Sequence, residues 1–302
     1  MVEDSDFKKI TIVGCGLIGG SIGLALKKSN YFGRIFGIDK IEKIEKAIRV
    51  GAIDVGSEKI EIGIKDADVV ILATPIIEII RLINRIKPFL SKKCLITDTG
   101  STKVEIIRKA KSVFLNNYNF IGGHPMAGSE KGGIENAHPD LFVGKPYIVV
   151  PVHSNSNQRS LADLRMSSII HCIGAIEIKM EANEHDRLVA LISHLPQLIA
   201  VMMTNMLGSL VEEKNNERYF KISGNVFNEM TRVAQSPFSI WGDIYQTNRN
   251  WTMAFIDEIE CYFEKVKRTI ARNPAELEGD FKKASYIKEK MLKLIDNASR
   301  IK

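Results

Sequence analysis

Ile10-Thr11-Ile12-Val13-Gly14-Cys15-Gly16-Leu17-Ile18-Gly19-Gly20-Ser21 is the stretch that decides the fold: an apolar run suited to a buried strand passes through Gly-x-Gly-x-x-Gly into a run suited to a helix. Gly14 permits the tight turn, Gly16 lets the backbone approach a pyrophosphate with no Cβ in the way, and Gly19 lets the helix pack closely on the strand. The phosphates of a dinucleotide would then face a helix N-terminus, whose free N–H groups and dipole favour negative charge. A glycine motif alone could be a bare turn. Here a second apolar run, Ile35–Asp39, ends on a carboxylate twenty positions beyond Gly19, where a ribose-binding acid belongs. An acid at that place accepts from the 2′-hydroxyl and repels a 2′-phosphate, which favours NAD over NADP, with Lys40 beside it acting the other way. Expected cofactor contacts are Gly14, Gly16, Leu17, Ile18, Gly19 and Asp39.

Working outward, further strand-like runs occur at Val69–Ala73, Leu95–Thr97, Phe120–Gly122, Tyr147–Val150 and Ile176–Ile178. Helical periodicity lies between them in Ile18–Lys28, Ile41–Val50, Ile76–Ile86, Lys103–Val113 and Ser160–Ile170. This alternation predicts an α/β Rossmann-type, doubly wound domain over residues 1–180 with a mostly parallel sheet. After Met180 the strand signals stop, and an all-helical domain is expected over 181–302, ending in a charged, heptad-like run from Lys265 to Ile301. Two domains suit 302 residues, because single cores rarely grow beyond roughly 250–300 residues. Ligands of open α/β sheets bind beyond the carboxyl ends of the strands, so Ala73-Thr74-Pro75 and the loop Asp98–Lys103 should border the cofactor. Asp98 or Ser101 taken alone could equally be a helix N-cap.

The formal charge is +6, but acidic residues interleave with the lysines and arginines, which reads as a solvated basic surface able to attract a small anion rather than as a nucleic-acid face. Cys15, Cys94, Cys172 and Cys261 are far apart and form no Cys-x-x-Cys pair, so reduced thiols in the cytoplasm are expected, without a disulfide framework or zinc knuckle. The opening residues lack the basic-then-apolar order of a signal peptide. From Leu188 to Val211 there is no Asp, Glu, Lys or Arg, which is long enough to cross a bilayer. His194, Pro196, Gln197, Thr204, Asn205 and Ser209 recur along it, however, and such a polar load points to a helix buried in protein or between subunits. Metal ligation is not expected, because the six histidines include no His-Glu-x-x-His and no paired ligand spacing.

The most distinctive stretch is Gly122-Gly123-His124-Pro125-Met126-Ala127-Gly128-Ser129-Glu130-Lys131-Gly132-Gly133, which follows a strand. An imidazole there can accept a proton from a substrate hydroxyl as a hydride leaves, although a structural histidine in a Gly-Pro loop is the plainer alternative. With the glycine motif, Asp98-x-Gly100-Ser101, Ser193-His194-Leu195-Pro196, Thr231-Arg232-Val233-Ala234, Ser236-Pro237 and Trp241-Gly242-Asp243, in this order, the chain resembles the prephenate dehydrogenase family, which includes arogenate and cyclohexadienyl dehydrogenases.

The resemblance implies a Rossmann domain followed by a helical domain that forms a homodimer, and NAD-dependent oxidative decarboxylation of prephenate to 4-hydroxyphenylpyruvate in tyrosine biosynthesis. It implies that His124 deprotonates the ring hydroxyl, that Ser101 helps orient this histidine and the substrate, and that Arg232 binds a substrate carboxylate through its guanidinium fork. His194, Glu130 and Trp241 would line the cleft, although His194 could instead be a hydrogen-bonded core histidine. Where the family shows Phe-[Lys/Arg]-Asp before Thr-Arg, this chain has Phe227-Asn228-Glu229-Met230, so Glu229 keeps the acid one carbon longer and leaves prephenate and arogenate unseparated. The tail from Asn273 is too short for a fused mutase or regulatory domain, so any inhibition by tyrosine is expected at the active site. Two other readings are a 3-hydroxyacid or imine reductase type, whose catalytic lysine is not evident, and a non-catalytic NAD sensor, which has no need of both His124 and Arg232.

Overall fold

The apolar runs pair into one eight-stranded sheet with the order β3-β2-β1-β4-β5-β6-β7-β8. This computed structural model describes residues 7–115, 119–128, 131–151 and 160–300, with backbone alone for 296–300. The strands are β1 (Lys9–Val13), β2 (Arg34–Ile38), β3 (Val55–Ser57), β4 (Val69–Leu72), β5 (Leu95–Asp98), β6 (Asn119–Pro125), β7 (Pro146–Pro151) and β8 (Ile176–Lys179). All neighbours are parallel except β6 and β7, which run antiparallel and pair His124 with Ile148. The order reverses between β1 and β4, which opens the crevice where such sheets bind ligands.

Between the strands lie α1 (Leu17–Lys28), α2 (Ile41–Arg49), α3 (Ile60–Ile64), α4 (Ile76–Ile86), α5 (Val104–Phe114) and α6 (Leu161–Cys172). Successive strand residues point to opposite faces, so Val69 and Ile71 join one apolar cluster while Val70 and Leu72 join another. Both faces are covered by apolar side chains, which is why the strands read as continuous apolar runs. The edge strand β3 and the short α3 were not anticipated, because elements of three and five residues carry too little periodicity to stand out.

After Lys179 the described residues form helices: α7 (Ala182–Val189), a π-helical turn (Ala190–His194), α8 (Leu195–Lys214), α9 (Arg218–Lys221), α10 (Asn225–Thr231), α11 (Phe238–Thr247), α12 (Arg249–Arg272) and α13 (Glu278–Arg300). The span from Ala182 to Lys214 is long and apolar enough to cross a membrane by length and composition. One of its polar groups is nevertheless bonded to another segment, Gln197 Nε2 donating to Val233 O at 3.0 Å, while Thr204 Oγ1 donates within the helix to Ala200 O at 2.8 Å. The heptad-like tail is two helices rather than one. Pro274 has no N–H to continue α12, and the Asn273 side chain accepts from Ala275 N to start a 3-10 turn over Pro274–Leu277. By internal contacts the chain forms two units, residues 1–249 and 250–302, the second holding the remainder of α12 and α13.

Candidate active site

The glycine turn has the shape its sequence requires. Gly14 adopts φ 101°, in the left-handed half of backbone space, and its N–H donates to Ile38 O at 2.8 Å. A Cβ at Gly19 would stand 2.0 Å from Gly14 O, so the start of α1 can lie against the turn only with glycine there. Gly16 differs: a Cβ on it would meet nothing within 4 Å, so the space over it is open. No side chain caps α1 and no acid lies in its first turn, which leaves N–H groups directed at that space. Asp39 closes β2 with a side chain that is mostly buried; its Oδ2 accepts from Cys15 N at 2.9 Å and its Oδ1 from Lys40 N at 2.8 Å. Burial, with Asp39 next to it, pushes the Cys15 thiol up to about 12, so it stays protonated at neutral pH.

A cavity of about 320 Å³ opens over the switch point, lined by Leu17 and Ile18, by Thr74 and Pro75 after β4, by Gly100 and Ser101 after β5, by Ala127 and Gly128 after β6, and by Ile240, Asp243 and Ile244 of α11. Helix α11 is tied to the start of α4 by Asp243 Oδ2, which accepts from Ile77 N at 3.1 Å, and to the loop after β5 by a 2.7 Å bond between Thr247 Oγ1 and Thr102 Oγ1. Thr74 Oγ1 is buried without a protein partner in this lining. A free hydroxyl, an open glycine and uncapped helical N–H groups around one crevice suit a dinucleotide.

A buried polar network lies at the ends of β5 and β6. Lys103, fully buried, donates through Nζ to Asp98 Oδ2 and, at 2.7 Å, to Gly123 O. Asp98, also fully buried, accepts from Gly100 N at 2.8 Å and Gly123 N at 3.2 Å. His124 Nδ1 lies 2.8 Å from His185 Nε2, and His185 Nδ1 lies 2.7 Å from Asp186 Oδ1. Asp186 also accepts from Lys103 N at 2.7 Å and Val104 N at 2.9 Å, and so caps α5. His124 is half-buried, and the lost hydration, then the neighbouring His185, Lys103 and His194, hold its pKa well below the ordinary value. The ring is therefore neutral at physiological pH. Burial likewise lowers His194 to about 4, with Asp186 opposing and His185 adding to the shift.

The chain matches the family model for the prephenate dehydrogenase nucleotide-binding domain over residues 22–175 and that for the prephenate dehydrogenase dimerization domain over residues 181–284. It belongs to the prephenate dehydrogenase family. The prephenate dehydrogenase of Bacillus subtilis (strain 168) is 32% identical over 269 residues, covering 88% of this chain and 71% of that protein. The cyclohexadienyl dehydrogenase of Zymomonas mobilis is 30% identical over 278 residues, covering 91% of each. The crystal structure of Aquifex aeolicus prephenate dehydrogenase in complex with hydroxyphenyl propionate and NAD+ superposes with a TM-score of 0.83 at 29% identity, covering 94% of this chain and 98% of that one. This chain is an NAD-dependent dehydrogenase of that family, with a nucleotide-binding α/β region and a helical dimerization region.

Of the residues expected from sequence, Leu17, Ile18, Thr74, Pro75 and Ser101 line the cavity. Asp98 is not in that lining: it is fully buried and its carboxylate is taken up by Lys103, Gly100 and Gly123, which supports the loop. His194 is buried, hydrogen-bonded to Asn248 at 3.3 Å and edge-on to Trp241 at 6.1 Å between ring centroids. Arg232 is exposed on the turn that Gln197 ties to α8, and Glu229 is exposed on α10. Glu130 lies outside the described residues. Sequence reasoning missed His185, Asp186 and Asn248, and assigned Lys103 no role. An adjacent His-Asp pair just inside the first helix after the last strand was the one available signal.

Two outcomes follow from this geometry. Gly16 has φ −89° and ψ −155°, open to any residue, so Gly16→Val should keep the ligand-free Tm within about 2 °C while weakening NAD binding at least about tenfold. Gly19→Val should lower both. Calorimetry and fluorescence titration measure the two quantities, and unweakened NAD binding by Gly16→Val would remove this turn from the phosphate site. For His194 the folded pKa is depressed from 6.5 to about 4, so the stability gained by burying a neutral ring is full above about pH 6.5 and is lost as pH falls through about 4. That loss is about 3 kcal/mol for a shift of this size. Urea unfolding at both ends of the window should show a smaller loss in His194→Gln; an equal loss would mean other groups carry it.

Proposed function

We propose that this chain oxidises prephenate with NAD, releasing carbon dioxide and 4-hydroxyphenylpyruvate on the route to tyrosine. The observation that carries the reading is a neutral, half-buried His124 at the end of β6, the strand whose continuation at Ala127 and Gly128 lines the dinucleotide-type cavity. A neutral imidazole is the form that can take a proton. NAD, when bound, supplies the hydride acceptor. His124 removes the ring hydroxyl's proton as the carbinol carbon gives up hydride, and loss of the ring carboxylate then restores aromaticity. Ser101, in the cavity wall, orients the hydroxyl. Arg232 pairs with a substrate carboxylate, while Glu130, Glu229, His194 and Trp241 shape the remainder of the substrate site. The names of the Bacillus subtilis and Aquifex aeolicus relatives support prephenate as substrate. The Zymomonas mobilis enzyme supports the alternative, arogenate oxidised directly to tyrosine by the same groups.

The Asp39 carboxylate supports NAD over NADP, since it would repel a 2′-phosphate. A homodimer is supported by the apolar side chains that the helical region of one chain leaves exposed: Met202 60%, Met206 70%, Ile222 80%, Val226 74% and Phe238 78%. A functional division at about residue 180 is supported by the end of the last strand at Lys179 and by the change of family model between residues 175 and 181. Four free cysteines support a cytoplasmic enzyme.

Purified protein mixed with prephenate or arogenate, each with NAD or NADP, should form reduced nicotinamide fastest with prephenate and NAD; no turnover in any mixture defeats the reading. His124→Asn should lower kcat about 10²–10⁴-fold with NAD affinity unchanged. Arg232→Ala should chiefly raise KM. A near-normal kcat in the first variant would remove His124 from its role.

A further inference from the structure

His124 does not stand alone. We infer that His185 and Asp186 act on it as a positioning dyad, fixing its tautomer and taking over the proton it removes from substrate; the inference rests on the dehydrogenase reading above. The hydrogen-bond chain assigns the protons. Asp186 accepts from two backbone N–H groups, Lys103 N at 2.7 Å and Val104 N at 2.9 Å, which holds it as a carboxylate. Its Oδ1 therefore accepts from His185 Nδ1–H at 2.7 Å, and His185 Nε2 is left with a lone pair. That lone pair faces His124 Nδ1 at 2.8 Å, so His124 carries its proton on Nδ1 and presents a bare Nε2 to substrate.

The surrounding charges favour onward transfer. His185 and Asp186 are each about 1% exposed and in direct contact, so a proton arriving on His185 forms an ion pair in a dry site. The groups around this chain are the Lys103–Asp98 pair from the β5–α5 loop, Tyr147 from β7 lying close to Gly123, and His194 held by Asn248. Lys103 disfavours a charge on His124, whereas Asp186 favours one on His185. In the step, the substrate O–H bond breaks and His124 Nε2–H forms, while His124 Nδ1–H breaks and His185 Nε2–H forms. The hydride leaves the carbinol carbon for the oxidised nicotinamide. His185 holds the proton as an imidazolium against Asp186 until loss of carbon dioxide turns the dienone oxygen into a phenolate, which takes the proton back by the reverse path as the product hydroxyl.

Two measurements on the full chain test this. Nitrogen-15 NMR of histidine-labelled, ligand-free protein should show His124 as the Nδ1–H tautomer; the Nε2–H tautomer would overturn the inference without any assay. In turnover, His185→Leu should lower kcat about 100-fold and His185→Gln, which keeps an acceptor but cannot hold the proton, about tenfold, with NAD affinity within about twofold of wild type. The acidic limb of the kcat–pH profile should move to higher pH in both variants, because His185 is one of the neighbours that hold the His124 pKa down. A limb that stays in place, or a kcat within about threefold of wild type in His185→Leu, overturns the relay. If wild type itself fails to turn over, the dehydrogenase reading falls and takes the proton step with it; turnover with an unmoved limb removes the relay alone. His185→Gln and the wild-type tautomer keep the test decisive if His185→Leu does not fold.

Discussion

The carboxyl edge of the sheet depends on burying one ammonium and one carboxylate together. Lys103 and Asp98 are both fully inaccessible, and removing two such charges from water costs several kcal/mol for each ion. That penalty is bearable only when every remaining valence is satisfied. Lys103 Nζ reaches Gly123 O as well as Asp98, and Asp98 takes the N–H groups of Gly100 and Gly123. The pair thus clamps β5, β6 and the start of α5 at the base of His124. Burial and the nearby carboxylates act on Lys103 in opposite directions, with burial the larger and lowering its pKa.

The same lysine couples the sheet to the helices that follow it. Its backbone N–H and that of Val104 are capped from α7 by Asp186, more than eighty positions along the chain. A helix start is usually satisfied by its own neighbouring side chain. Here the cap comes from the segment that also delivers His185, so docking α7, starting α5 and orienting His124 are one event. Asn248 closes the arrangement by donating to Asp186 O at 2.7 Å while lying beside His194. Removing any member would leave a buried polar group without a partner, which is why the set is expected to act as a unit.

The helical segment divides its surface between two tasks. One side of the run from Ala182 to Lys214 buries His194, Gln197 and Ala200, and the other exposes Met202, Met206 and Leu210. A helix apolar nearly all round is stable in water only when most of its surface meets protein. The match to a dimerization-domain model gives that surplus apolar surface a physical reason, since a single chain leaves it uncovered.

By itself the sequence determined the parts whose physics is local. Gly-x-Gly-x-x-Gly between strand and helix requires the turn seen at Gly14, and the short continuous apolar runs place seven of the eight strands within a residue or a few of their ends. His124 was legible because a lone imidazole among glycines has little local structural work to do. Tertiary structure alone decided what supports that imidazole. Asp98 reads as a cofactor contact or a cap, yet its partner is a lysine five positions on, folded back beneath the loop. Nothing near Val104 announces that its N–H will be met by Asp186, or that His185 will arrive at His124 Nδ1. Hydrogen bonds between groups sixty to eighty residues apart leave no periodicity and no spacing rule in the chain. They exist only once the sheet has closed and α7 has packed against the start of α5.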